Sequence, residues 1–178
     1  MLGYRTDYIQ EVRKVNMYEY KCHVNKVVDG DTVDIDIDLG FGIWLKGERV
    51  RIMGIDTPES RTSNEVEKLF GIASKNRLKE LLGKDPVLKT QVDKDGEDMK
   101  GKFGRILGDF DVYDAKSDSW KPVTQVMIEE GHCVPYFGGS KAEVQAQHLI
   151  NRKRLVEQGL VVLKKGMDIA KGTDVTDE

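Results

Sequence analysis

A mainly β fold with helices, of the α+β class, is what this chain predicts: a five-stranded OB-fold barrel with three helices. Three strand-like segments come first, a capped helix follows, and two further strand-like segments precede two closing helices. Five strands interrupted by a helix after the third is the order of an OB-type barrel. The 178 residues suffice for one domain with a buried core. A hydrophobic content of 39% beside 33% charged residues places the chain among globular proteins.

Residues 1–17 are polar, carry Arg5, Arg13 and Lys14 and show no clean periodicity, which reads as an N-terminal arm. Tyr18, Tyr20, Cys22 and Val24 then alternate with Glu19, Lys21, His23 and Asn25. Val33, Ile35, Ile37 and Leu39 alternate with Thr32, Asp34, Asp36 and Asp38. A period of two marks a strand with one wet face, so Asp34, Asp36 and Asp38 are expected in solvent. Asp29-Gly30 between these strands favours a tight reversal. The link Gly40 to Glu48 holds Phe41 and Trp44 and is expected to pack on the barrel, with flanking the substrate as the other reading. Val50 to Ile55 is almost wholly apolar, the mark of a strand covered on both sides.

Thr62 with Glu65 fits a capping box, Val66, Leu69, Phe70 and Ala73 recur at helical spacing, and Gly83 suits a stop. Val87 to Val92 and Arg105 to Val112 read as strands around the polar loop Asp93 to Gly104. Pro122 opens a second helix that runs to Gly131, since proline is tolerated in a first helical turn. Ser140 with Glu143 makes another capping box, and Ala142, Ala146, Leu149 and Ile150 form the buried stripe of a third helix. Leu160 to Leu163 fits a strand, a packed tail or an interface. The domain is therefore placed at residues 18–158, followed by a C-terminal extension, 159–178, acidic and flexible at its end.

Net charge is -3, and the stretch Gly172 to Glu178 accounts for it with Asp174, Asp177 and Glu178. Strongly basic nucleic-acid coaters are thereby disfavoured, and any such binding must rest on a local patch. Cys22 and Cys133 sit among apolar residues, as buried free thiols do. No apolar run approaches the about 18 residues of a membrane span. Met1 to Lys21 lacks the apolar core of a signal peptide, so a cytoplasmic protein without membrane association is expected.

Acids and arginines gather where the apolar strands end. Asp31 shares the parity of Val33 and Ile35 and should point to the barrel side, where a carboxylate requires a cation or an arginine. Asp56 and Glu59 flank Pro58, which stiffens the turn and biases Thr57 toward an extended shape. Arg51 and Arg105 add two guanidiniums. Carboxylates bind a hard divalent cation and guanidiniums grip a phosphate, a combination suited to metal-assisted phosphodiester cleavage. The acidic loop from Asp93 fails the EF-hand pattern, with glycine at the fourth place and Gly104 at the twelfth. His23, His132 and His148 lack zinc-ligand spacing.

Asp29-Gly30-Asp31-Thr32, the run Arg51 to Glu59, Lys102-Phe103-Gly104-Arg105 and the helix ending Glu130-Gly131, in this order, resemble the staphylococcal nuclease-like (thermonuclease) family over residues 18 to about 158. The resemblance implies an OB-fold nuclease that uses Ca2+, hydrolyses DNA and RNA with low sequence specificity, prefers single strands, leaves 3′-phosphates and acts as a monomer. It also implies site roles. Asp31 and Asp56 would be calcium carboxylates, and Thr57 would add its backbone carbonyl. Glu59 would orient or deprotonate the attacking water, and Arg51 and Arg105 would clamp the phosphate. Lys102 and Phe103 would contact nucleic acid, with Phe103 standing where the family often has tyrosine. Tyr136 and Phe137 fall near the family's base-stacking aromatics, packing being the other reading. Lys46, Arg49, Arg61 and Lys102 could steer phosphates or be plain surface charge. The alternative function is a non-catalytic nucleic-acid or protein-binding OB module, whose family relatives have generally lost the acids or arginines retained here.

Overall fold

Val33, Ile35 and Ile37 face inward from strand β2 (Thr32–Asp38), as the period-two pattern predicts. The structure is a computed structural model, and it describes residues 18–92 and 104–171. Strand β1 (Glu19–Asp29) runs antiparallel to β2, with Gly30 and Asp31 as the two-residue loop between them. Register shifts in β1 bend it enough to bury Val27, Val28 and Asp29 in succession. Strand β3 (Trp44–Ile52) pairs antiparallel with β2, placing Arg51 opposite Thr32.

Met53 and Gly54 turn the chain into β4 (Ile55–Asp56). The apolar run at 50–55 is thus not one strand covered on both faces. Val50 and Ile52 are buried in β3, while Arg49 and Arg51 take the opposite face. Gly54, with φ 77, supplies the left-handed turn that breaks the run. Strand β5 (Val87–Thr90) pairs antiparallel with β1 and with β6 (Ile106–Asp114), and β6 pairs in parallel with β3. The circuit β1-β2-β3-β6-β5 returns to β1, closing the five-stranded barrel that the element order predicts. Strand β7 (Ser119–Pro122) extends β6 as a hairpin, and β8 (Val134–Pro135) pairs with β4.

The β2–β3 hairpin departs from expectation. Phe41 is fully exposed at 103%, and Ile43 and Trp44 are also exposed, so the loop does not pack on the barrel. Gly40, Phe41 and Gly42 have φ of 80, 53 and 74, which holds the tip out from the wall. Below it, Arg49 forks onto Asp34 at 2.7 and 2.9 Å, and Lys46 reaches Asp36 at 2.8 Å. Asp34 and Asp36 are therefore cross-strand partners rather than simple solvent charge, and the same pairing occupies Lys46 and Arg49, while Asp38 accepts from the Gly40 amide at 2.8 Å.

Helix α1 (Glu65–Leu82) is capped two residues after the Thr62 of the predicted capping box. Asn64 is the cap, accepting from the amides of Val66 at 3.1 Å and Glu67 at 3.2 Å. Thr62 instead accepts from the Asn64 amide at 3.2 Å, so it lies outside the helix. Gly83 ends the helix as predicted. Helix α2 (Val123–Glu129) follows Pro122, and Asp109 caps it from β6, accepting the Thr124 hydroxyl at 2.5 Å and its amide at 3.4 Å. Helix α3 (Lys141–Glu157) carries both halves of the Ser140–Glu143 capping box, but its buried face is His148, Asn151, Arg152 and Leu155 rather than the expected stripe, of which Ala142, Ala146 and Ile150 are exposed.

Val33, Ile35, Val50, Ile52, Leu88 and Phe110 fill the barrel, closed off by Leu78 of α1 and Met127 of α2. A second cluster joins Val66 and Phe70 to Leu155 and Val161, with Leu163, Met167 and Ile169 at its edge. The stretch 160–163 is not a strand: Val161 and Leu163 pack into this cluster, and Leu160 and Val162 are exposed. Cys22 and Cys133 are buried free thiols, as predicted, and burial pushes the Cys22 thiol up to about 12. Among the described residues no helix is long and apolar enough to cross a membrane. The proposed arm at 1–17, the loop 93–103 and the tail 172–178 lie outside the described residues.

Arg77 of α1 ties the helices together. Its guanidinium forks onto Glu130 at 2.7 and 3.0 Å, and Lys116 adds a third bond to Glu130 at 2.7 Å. Burial alone would raise the Glu130 carboxyl, but the Arg77 and Lys116 bonds outweigh it and hold the group below its usual value. A depressed acid stabilises the fold above its unfolded value, and that contribution is lost as pH falls through the folded value. Arg77→Ala is expected to cost about 1–2 kcal/mol at pH 7, discounted for partial exposure. Urea unfolding at neutral pH and below about pH 4 checks this, because the gap to the unaltered protein should close in acid.

Candidate active site

The two-residue loop after β1 needs glycine for a steric reason. A Cβ on Gly30 would lie 2.2 Å from Ser74 Oγ and 3.1 Å from Thr57 Cβ, so the loop sits directly on α1 and on the turn after β4. The two flanking aspartates divide the work. Asp29 is buried and accepts from the amides of Gly30 at 3.1 Å and Ser60 at 3.3 Å, stapling the segment around Glu59 to the hairpin. Asp31 opens into a cavity at the barrel rim. Its carboxylate accepts the Thr32 hydroxyl at 2.8 Å and the Thr57 hydroxyl at 3.0 Å, and pairs with the Arg51 guanidinium at 3.1 Å.

Arg51 is fixed by its own strand end, donating to the carbonyls of Ile52 and of Ile55, the latter at 3.1 Å. The parallel β3–β6 pairing sets Arg51 opposite Leu107, which brings Arg105, just before β6, to the same rim. Asp31, Asp56, Thr57, Glu59, Arg51 and Arg105 all line one cavity of about 870 Å³. Every residue expected to bind a metal or to act in catalysis is therefore brought together there. Arg61 lines the same cavity and is exposed.

Glu59 stands on the rim with an exposed side chain. Partial burial raises its carboxyl above the usual range, with further push from the charges of Asp29, Asp31, Glu67 and Asp56. Its backbone is held by α1. A Cβ on Gly71 would lie 2.4 Å from the Glu59 carbonyl and 2.5 Å from the Ser60 amide nitrogen. Gly71 is thus a helical glycine kept small by close backbone approach, a role that helical periodicity does not reveal. Gly71→Ala is expected to destabilise the fold by about 1–3 kcal/mol through overpacking. It should also lower turnover about 10²-fold by displacing Glu59, as misplacement on the scale of ~1 Å does. Urea midpoints and kcat measure the two effects separately.

A second residue was set aside by sequence reasoning and is placed here by the structure. His148, 5% exposed on α3, bonds to the Asp56 carboxylate at 2.6 Å across a separation of 92 residues. Its lack of ligand spacing is real. Its pairing with Asp56 is visible only in three dimensions.

Among the described residues no three His, Cys, Asp or Glu side chains form a group able to hold a metal. Asp31, Asp56 and Glu59 share the cavity without converging as one cluster. The reason lies in their partners: Asp31 is drawn to Arg51 and Thr57, and Asp56 to His148. The oxygen donors that remain, two carboxylates beside Thr57 in a solvent-open cavity, fit a hard cation that keeps much of its water.

A second cavity, of about 1170 Å³, adjoins the first and shares Arg51 and Arg105 with it. Tyr136 and Phe137 line it, with Met53, Leu107 and Ile128. Phe137 is 88% exposed, so it is not core packing. Lys102 and Phe103, expected to touch nucleic acid, lie outside the described residues.

Residues 49–158 match the family model described as staphylococcal nuclease homologue, more than half of the chain. Asp31 precedes that interval and joins it through the barrel. The chain is 37% identical over 84 residues to the thermonuclease of Staphylococcus intermedius, covering 47% of this chain and 44% of that protein. It is 31% identical over 108 residues to endonuclease YncB of Bacillus subtilis (strain 168), covering 61% of this chain and 44% of that protein. It is 30% identical over 108 residues to the SPbeta prophage-derived endonuclease YokF of the same organism, covering 61% of this chain and 31% of that protein. Each match spans less than half the length of the relative. With a closed five-stranded barrel, acids and arginines in one cavity, and this match, the chain belongs to the staphylococcal nuclease homologue family.

Proposed function

We propose that this protein is a Ca2+-dependent nuclease that hydrolyses phosphodiester bonds of DNA and RNA with low sequence specificity and leaves 3′-phosphates. The observation that carries the proposal is the shared cavity: the carboxylates of Asp31, Asp56 and Glu59 and the guanidiniums of Arg51 and Arg105 are among the groups that line one space large enough for a phosphodiester. Asp31, Asp56 and Thr57 are the residues that would hold the ion. Calcium bound there would add positive charge beside the phosphate oxygens.

The remaining chemistry belongs to the chain. Arg51 and Arg105 place forked donors on the non-bridging oxygens, where charge gathers in the transition state. Glu59 orients a water for attack on phosphorus and accepts its proton as the new P–O bond forms. The bond to the 5′ oxygen breaks, and that oxygen leaves as a hydroxyl after taking a proton from solvent water. The adjoining cavity with Tyr136 and exposed Phe137 suits a base splayed from its neighbours, which favours single strands.

The test is a panel of divalent ions against single- and double-stranded DNA and RNA, with end-group analysis of the products. Calcium is expected to switch on cleavage and leave 3′-phosphate ends. Absence of cleavage with every ion, together with salt-sensitive binding that a chelator does not alter, would replace this reading with a binding module.

A further inference from the structure

We infer that His148 is a positioning residue for Asp56, orienting its carboxylate for a divalent cation. The inference rests on the proposed role of Asp56 and adds a residue that neither the sequence pattern nor the family match assigns.

Asp56 sits on a ribbon too short to fix it. β4 has two residues, paired with the two of β8, and the Asp56 side chain is 39% exposed. A carboxylate in that position can rotate, and an ion must then bear the cost of ordering it. His148 removes that freedom. At 2.6 Å its Nε2 faces Asp56 Oδ2, and because an ionised carboxylate only accepts, the ring nitrogen is the donor. Among the described residues His148 is the partner bonded to this carboxylate, and it engages one oxygen.

The imidazole is itself held. It is buried in α3, whose next turn is anchored by Asn151 donating to the Cys133 carbonyl at 3.1 Å and by Arg152 donating to the carbonyls of Ile169 and Lys171 at 3.2 Å. Leu155 fixes the same helix in the second apolar cluster. The Cys133 carbonyl precedes β8, the strand that pairs with β4. α3 therefore grips both the strand partner of Asp56 and its carboxylate, so the two are set by one rigid body. Outer partners of this kind tune metal affinity through orientation, and their loss typically weakens binding about 10–100-fold.

The experiment is a calcium titration by calorimetry on the full chain and on His148→Leu and His148→Gln, with urea midpoints for all three. His148→Leu should weaken calcium binding about 10–100-fold. His148→Gln, which keeps a donor, should recover most of that loss. In cleavage assays the half-activating calcium concentration should rise in His148→Leu, while kcat at saturating calcium stays within a few fold of the unaltered protein. Folded His148→Leu with unaltered calcium affinity would overturn the inference, as would equal loss in both variants. If the unaltered protein takes up no calcium, the proposed function fails as well, an outcome distinct from either of those.

Discussion

Glu59→Gln is expected to lower kcat by about 10²–10⁴-fold, the range that a positioned general base supplies. The amide keeps the shape and removes the basicity, so the substitution isolates proton acceptance from packing. The structure makes this a clean test. The exposed Glu59 side chain is not among those that staple the segment; that work falls to the Ser60 amide on Asp29 and to the Glu59 amide on Glu67 at 3.3 Å. Stability should therefore change little, and KM should stay within a few fold, because the role proposed for Glu59 is on the water and not on the phosphate. Turnover near that of the unaltered protein, in a purified and folded variant, would remove Glu59 from the chemistry.

Arg51 is expected to show the second large effect, and with a different signature. Arg51→Ala should lower kcat by at least about 10²–10³-fold, as loss of a donor to transition-state charge does. Unlike Glu59, Arg51 also supports the fold, donating to the Ile52 and Ile55 carbonyls and pairing with Asp31 at 3.1 Å. The alanine variant should therefore lose stability as well, because it leaves the partly buried Asp31 without its cation. Arg51→Lys separates the two functions. A lysine retains charge beside Asp31 but cannot fork toward a carbonyl and a phosphate at once, so stability should recover more than activity. Paired urea midpoints and kcat values would show the split. Equal recovery of both would mean that the fork geometry does not matter to the reaction.

What the sequence made legible followed from period and chemistry. The alternation of Val33, Ile35 and Ile37 identified β2, the Ser140–Glu143 pair identified the start of α3, and the strand order identified the barrel. Asp31, Arg51, Asp56, Thr57, Glu59 and Arg105, which share the cavity, were legible because their chemistry is distinctive and they sit where strands end. What remained hidden depends on distance or on shortness. β4 and β8 have two residues each, too few for any period to register. His148 gains its meaning from a partner 92 residues away. Gly71 reads as a weak spot in a helix until the Glu59 backbone is seen lying against it. Asn64 displaced Thr62 as the cap because both are good cap residues two positions apart, and local pattern does not rank them. Phe41 was misplaced because an apolar loop usually seeks cover, whereas three successive left-handed residues hold this one away from the wall.

The parallel pairing of β3 with β6 bears on how the molecule comes to life. Arg51 and Arg105 reach the same rim only through that seam, which joins segments separated by the whole of α1 and β5. Non-local, parallel contacts form late, because loop-closure entropy must be met before they are rewarded. Asp56 likewise meets its histidine only after the last helix has docked. A chain still emerging during synthesis thus exposes Asp31, Arg51 and Asp56 before the strand that carries Arg105 to them has been made. In a refolding trace, cleavage is therefore expected only after the barrel has closed.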